Sequence, residues 1–138
     1  MTMALGQQIG TITGKVNSTR VLPPQDRMPV VEVSFEADGE LNGVQAHFVC
    51  SYWVQIRPDG TVYGETNNQG VIVTGDGITT YSGAATGHMT PDGGSALVGA
   101  IYLHNPPGKL DSLVESAVVF EWQVDGEGNT RGVLAEWK

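Results

Sequence analysis

Basic residues are scarce in this sequence: 7 Lys and Arg stand against 15 Asp and Glu, for a net charge of −8. A protein that tracks a phosphate backbone needs a basic face to displace counterions. No basic stripe exists here, so nucleic acid is excluded as a partner. The same acidity disfavours an anionic membrane surface, and its plain consequence is solubility. Cysteine is scarcer still. Cys50 stands alone, so no internal disulfide can form, and its place in the run Phe48-Val49-Cys50 suits a buried, inert thiol. Long apolar runs are missing as well. No stretch of about 18 apolar residues occurs, so a membrane-spanning helix is excluded. Met1 to Gly10 has neither a basic start nor a long apolar core, so no secretion signal is expected there. The expected location is the cytoplasm.

Glycine is abundant. The chain carries 19 glycines in 138 residues, about twice the usual ~7%, while its charged fraction of 16% lies below the usual ~25%. A helical bundle would be richer in Ala, Leu, Glu and Lys. Many glycines with few charges suit short strands and tight turns.

Alternation supplies the strands. In Val30 to Ala37, Val31, Val33, Phe35 and Ala37 share one face, while Glu32, Ser34 and Glu36 share the other, the period of a half-buried strand. Asp38-Gly39 and Asn42-Gly43 follow, both carrying the chemistry of hairpin turns. Val44 to Ile56 reads as one long strand, ended by the turn Arg57-Pro58-Asp59-Gly60. Shorter strands follow at Thr61–Glu65, Val71–Thr74 and Ile78–Ser82, then Ser95–His104, Ala117–Val124 and Thr130–Trp137. The first strand is expected from Gly10 to Val21. Two proline-rich segments, Pro23 to Pro29 and Asn105 to Lys109, are expected as loops outside any ladder. After the second, Leu110 to Val114 suits one helical turn with Leu110, Leu113 and Val114 on its inner side.

About eight or nine strands joined by short reversals predict an all-β fold, an antiparallel up-and-down (meander) β-barrel forming a single domain over residues 1–138. Closure removes the unpaired edges. Eight strands leave an interior just wide enough for packed side chains or one small ligand.

A resemblance accompanies this pattern. Ile12-Thr13-Gly14, Arg20-Val21-Leu22-Pro23, Val31 to Phe35, Arg57 to Gly60, Gly64-Glu65, Gly75-Asp76-Gly77, Gly99 to Tyr102, Gly108-Lys109-Leu110, Phe120-Glu121 and Glu136-Trp137-Lys138 follow in order along the chain. Their succession resembles a group of uncharacterised bacterial small β-barrel proteins. More distantly, the strand–turn-Gly–strand rhythm and the Lys-Leu segment before the penultimate strand are similar to the barrels of allene oxide cyclase and dirigent proteins. That resemblance implies a largely apolar cavity with a few polar groups that binds and shapes a hydrophobic substrate. No site residue of those families is carried over.

Several chemistries lack their residues. His47, His88 and His104 are dispersed, with no HxH, HxxxH or HExxH pattern, so no metal site is expected. There is no Gly-x-Ser-x-Gly elbow. Cys50 and His47, three apart on one strand, point to opposite faces. The run Gly83 to Gly87 precedes no helix that could present an N-terminus to phosphate.

Acid–base chemistry within a cavity is the enzymatic reading with most support. Glu65 precedes the polar run Thr66 to Gln69, expected at the barrel rim. Ala96, Val98, Ala100, Tyr102 and His104 share one face, small at one end and polar at the other, as a tapering cavity requires. Glu121 lies between Phe120 and Trp122. A carboxyl in an apolar cavity has its pKa raised and can act as general acid or base. The candidate catalytic residues are therefore Glu65, Tyr102, His104 and Glu121, with Tyr52, Trp53, Phe120 and Trp122 as ligand-binding walls. The plainer alternatives are a solvated outward Glu121, a capped core at Tyr102 and His104, and tryptophans that fill core or interface.

The expected function is binding of a hydrophobic small molecule in an internal cavity. Its catalytic form would be a cofactor-independent isomerase or cyclase, with no cofactor required. The rival is a non-catalytic ligand-binding or structural barrel, including a homo-oligomeric module that buries the proline-rich loops and Trp137. A binder or enzyme needs a pocket of roughly 300 Å3 or more with convergent polar groups; a filled barrel does not.

Overall fold

A computed structural model describes residues 5–137; Met1–Ala4 and Lys138 lie outside it, and with them part of the segment read for a secretion signal. Nine strands occur among the described residues: β1 (Leu5–Gln25), β2 (Met28–Leu41), β3 (Val44–Ile56), β4 (Thr61–Glu65), β5 (Gly70–Thr74), β6 (Gly77–Met89), β7 (Ser95–His104), β8 (Val118–Val124) and β9 (Asn129–Trp137). All belong to one sheet, and every pairing is antiparallel. Successive strands pair, except that β4 and β5 each pair with β3 and β6 and not with each other, and β9 returns to β1. The result is the expected closed meander.

Eight positions make the wall, because β4 and β5 share one. Both lie between β3 and β6: β4 pairs with Trp53–Ile56 of β3, and β5 with His47–Cys50. Between them Thr66–Gln69 forms a turn closed by Gln69 N donating to Thr66 O at 2.9 Å. Asn67 and Asn68 occupy its centre at φ 49° and 62°, a conformation their short polar side chains tolerate. This polar run was expected at the rim. It instead interrupts the wall midway along β3.

Two other expectations are corrected. The Pro23–Pro29 segment is not a loop: β1 runs to Gln25 and β2 begins at Met28. Asp26 and Arg27 make a two-residue turn at φ 51° and 63°, the hairpin geometry that matches strand twist. Pro23 and Pro24 oppose the single residue Pro29, between the pairs Leu22↔Val30 and Gln25↔Met28. Such a bulge asks for no ladder bond from a proline. Asp38-Gly39 is not a turn either, since Gly39 pairs with both Ile12 and Ala46 inside the sheet. A Cβ on Gly39 would fall 2.0 Å from Thr11 O, so this glycine serves close approach of β1. Asn42-Gly43 is the hairpin turn, at φ 53° and 84°.

The first strand begins at Leu5, earlier than expected. The helical turn after the second proline-rich segment is a 3-10 helix, Gly108–Leu113, with Leu110 and Leu113 buried. Val114, expected beside them, is exposed. Inside the barrel, Phe35 packs on Trp122 with ring centroids 4.5 Å apart and edge-on to Tyr52 at 6.0 Å. Phe48 meets Tyr81 at 6.1 Å. Aromatic pairs from β2, β3, β6 and β8 thus fill most of the interior.

Candidate functional site

Filling is incomplete at one place. Behind the β4–β5 break lies a cavity of about 70 Å3. Phe35, Tyr52, Ile101, Phe120, Trp122 and Leu134 wall it on the far side, and Gly64, Thr66 and Gly83 adjoin the break. Thr66 is fixed there by two bonds with β6: its N donates to Gly83 O at 3.1 Å, and its Oγ accepts from Gly83 N at 3.0 Å. These two bonds tie the break to β6, and Gly64 and Gly83 leave the wall there with little side-chain bulk.

The polar atoms near this cavity are committed to one another. Trp122 Nε1 donates to Tyr52 Oη at 3.3 Å. Burial pushes the Tyr52 phenol up to about 12, eased only in part by that bond. Burial likewise pushes the Cys50 thiol up to about 11, against a lowering contact with Tyr81. Tyr81 is raised well above its ordinary value, first by burial and then by Cys50. All three groups stay neutral and protonated near neutral pH, so none of them serves as a base there.

The predicted site residues divide. Tyr52, Phe120 and Trp122 line the cavity, as does Glu65 from the end of β4. Glu65 Oε2 accepts a hydrogen bond from Tyr63 Oη at 2.9 Å, and Tyr63 in turn packs edge-on against Trp53 at 5.9 Å and under Arg57. Trp53, which pairs with Glu32 and Glu65 in the register, stands with Tyr63 on the outer face and is not a cavity wall; Glu65 borders the cavity at the break, with its carboxylate held by Tyr63. Tyr102, His104 and Glu121 are exposed and do not converge on the cavity. On β7 the inward set is Leu97, Gly99, Ile101 and Leu103, the face opposite to the one expected. His104 instead contacts Thr80 Oγ at 3.0 Å through Nδ1 and Ser82 Oγ at 3.2 Å through Nε2. Glu121 sits beside Val98 and Val133 in the sheet register. The physical reason is that β7 is apolar on both faces, so its alternation does not say which face is inner.

Tyr81 and Phe35 are part of the site and were not among its candidates. Phe35 was legible as an inward residue of β2. Tyr81 carried a weaker signal, because in Ile78 to Ser82 the apolar Ile78 is exposed while the polar Thr79 is buried. Among the described residues, no group of three or more His, Cys, Asp and Glu side chains could hold a metal ion. No helix there is long and apolar enough to cross a membrane.

Fold and cavity define a class: a closed antiparallel barrel with a small apolar cavity. Solved structures of the same shape span nearly the whole chain. A conserved protein of unknown function from Rhodopseudomonas palustris is similar at TM-score 0.78 and 10% identity, over 99% of this chain and 98% of that one. A protein of unknown function from Clostridium acetobutylicum matches at TM-score 0.78 and 11% identity, over 100% and 99%. A β-barrel-like protein from Acinetobacter baumannii matches at TM-score 0.78 and 10% identity, over 99% and 97%. At such identities the likeness shows the fold alone. No protein-family model matches the chain, and no curated protein sequence matches it.

Proposed function

We propose that the barrel is a non-catalytic receptor for a small apolar ligand, or for the apolar end of a larger one, held in the cavity behind the β4–β5 break. The observation that carries this reading is the lining: Phe35, Ile101, Phe120 and Leu134 surround the void, and the Trp122–Tyr52 pair is already hydrogen-bonded. A ligand hydroxyl entering there would lose its water and gain little, at a cost of roughly 1–3 kcal/mol. An isomerase or cyclase of the allene oxide cyclase and dirigent kind would need a proton-moving group facing the substrate, and among the described residues Glu65, its carboxylate bound to Tyr63, is the one acidic residue that borders the cavity. The catalytic reading therefore ranks second.

A filled structural barrel is favoured by one observation, the volume. About 70 Å3 is well below the ~300 Å3 of ordinary ligand pockets, although apolar voids of about 150 Å3 take up benzene or xenon. The test is a titration of short-chain hydrocarbons and their hydroxylated counterparts, followed by methyl NMR shifts of Ile101 and Leu134. Binding of the hydrocarbon with weaker binding of the alcohol supports the receptor. No shift with either supports the structural barrel, and tighter binding of the alcohol, abolished by Glu65→Gln, supports the catalytic reading.

A further inference from the structure

The barrel wall is barest where the cavity meets it. Val62 on β4 and Ile72 on β5 are 1% and 0% exposed. Between them, residues 64–70 read Gly-Glu-Thr-Asn-Asn-Gln-Gly and carry no wholly apolar side chain. The Glu65 carboxylate is turned to Tyr63, and Asn67, Asn68 and Gln69 are exposed. Thr66 lines the cavity. Bonds from this segment to its neighbours are few as well. On the β3 side Gln69 O accepts from Ser51 N at 3.3 Å, and on the β6 side Thr66 and Gly83 exchange two bonds. The barrel end at the Asn42-Gly43 turn is stoppered by contrast. Leu110 and Leu113 of the 3-10 helix are buried in the core there, and Asn42 Nδ2 donates to Lys109 O at 2.7 Å.

We infer that residues 66–69 are a gate in the side of the barrel, which swings outward to admit the apolar ligand; this rests on the receptor reading above. A segment opens locally at a free energy set by the buried apolar contacts and backbone bonds that it gives up. This one gives up the Thr66 side chain and three bonds to β3 and β6. Its own turn bond, Gln69 N to Thr66 O, moves with it. Opening β4 at Val62 or β5 at Ile72 would instead pull a fully buried side chain from the core. Gly64 and Gly70 bound the segment, and glycine backbone absorbs the change of direction. The aperture also suits the ligand. β3 and β6 stand two strand spacings apart across the break, about 10 Å, so the displaced turn leaves a slot one strand wide. Behind it lies the void, with Phe120, Trp122 and Leu134 on the far side.

Hydrogen exchange of the full chain tests the gate without a ligand. The Ser51 and Thr66 amides should exchange about a hundredfold faster than those of Val62 and Ile72 in the flanking ladders. Xenon tests it with a ligand, its exchange rate being read by saturation transfer in xenon NMR. Thr66→Val keeps the bulk and removes the acceptor of Gly83 N. Loss of one hydrogen bond raises the opening constant about fivefold. Xenon on- and off-rates should rise together by that factor, with the xenon Kd unchanged. So should exchange at Ser51 and Thr66, whose own acceptors the substitution leaves in place. Gly43→Ala, which weakens the fold at the start of β3, should speed exchange at Val62 and Ile72 and leave the xenon rates alone. If Thr66→Val does not fold, the wild-type exchange pattern decides. Ser51 and Thr66 amides as protected as Val62 and Ile72 overturn the gate. So does bound xenon whose rates Thr66→Val leaves unchanged, and in both cases the receptor stands. Xenon that never enters overturns the receptor, and the gate with it.

Discussion

Trp122 on β8 donates its indole N–H to the Tyr52 hydroxyl on β3, 3.3 Å away. The two strands stand on opposite sides of an eight-position wall, so this one bond crosses the interior. It links residues 70 apart in the chain and seals one side of the cavity. Its chemistry also explains why two polar atoms are tolerated in an apolar core, since buried donors and acceptors are costly only when unpaired.

Tyr52→Phe removes the acceptor and strands the Trp122 N–H. The expected loss is about 1–3 kcal/mol of unfolding free energy, read from the midpoint of urea denaturation. The double variant Tyr52→Phe with Trp122→Phe should lose less than the two single variants added together. Strict additivity would show that the pair is not coupled.

Gly39 and Gly43 are four residues apart yet need glycine for different reasons. Gly39→Ala drives a Cβ into Thr11 O at 2.0 Å and Ile12 Cα at 2.8 Å, backbone that cannot swing aside. Overpacking of this kind costs typically about 1–3 kcal/mol. Gly43→Ala meets open space but at φ 84°, so its cost is the left-handed penalty of about 1–2 kcal/mol. Thermal unfolding should show the larger drop for Gly39→Ala.

Thr130 is 4% exposed, and its Oγ has no hydrogen-bond partner among the described residues. Thr130→Val keeps the shape and removes the orphaned hydroxyl. It should raise stability by about 1 kcal/mol, or roughly 4 °C in Tm. A lower Tm would mean that the hydroxyl is satisfied in solution.

His47 faces Asp38 in register, with Nδ1 2.7 Å from Oδ1, and its Nε2 lies 3.3 Å from Glu36 Oε1. The Asp38 hydrogen bond raises its pKa above 6.5, opposed in part by burial and supported further by Glu36. A pKa raised on folding adds stability that is complete below the unfolded value, near 6.5, and is lost as pH rises through the folded value. The pair is exposed, so the effect is no more than about 1 kcal/mol. Denaturation series across this range should show a decline in the wild type that His47→Gln lacks.

Much of the barrel was legible because its strands announce their own ends. Val44 and Ile56 bound β3 as the alternation and the Arg57–Gly60 turn require. Phe35 and Trp122 lie inward, where their strands' apolar partners lie. Legibility failed where one residue type serves two purposes. Gly39 follows Asp38 as turn glycines do, yet it marks a close crossing of β1 and β2. Pro23 and Pro24 read as loop, but a bulge accommodates them. The Thr66–Gln69 run reads as rim because polar turns usually end strands, whereas here the strand resumes. The costliest ambiguity was β7, whose outer face is as free of charge from Ala96 to Ala100 as its inner one. It placed Tyr102 and His104 inside, while Leu97 and Ile101 hold the inward positions.

The account rests on the claim that a small apolar void remains among Phe35, Ile101, Trp122 and Leu134. Xenon pressurisation followed by methyl and aromatic NMR addresses it directly, because xenon enters apolar voids and leaves filled cores unchanged. Saturable shifts confined to Ile101, Leu134 and the Trp122 ring, reduced in an Ala85→Val variant that occupies part of the space, are the predicted result. Shifts absent from these residues, or spread over the outer face of β6–β9 alone, would contradict it.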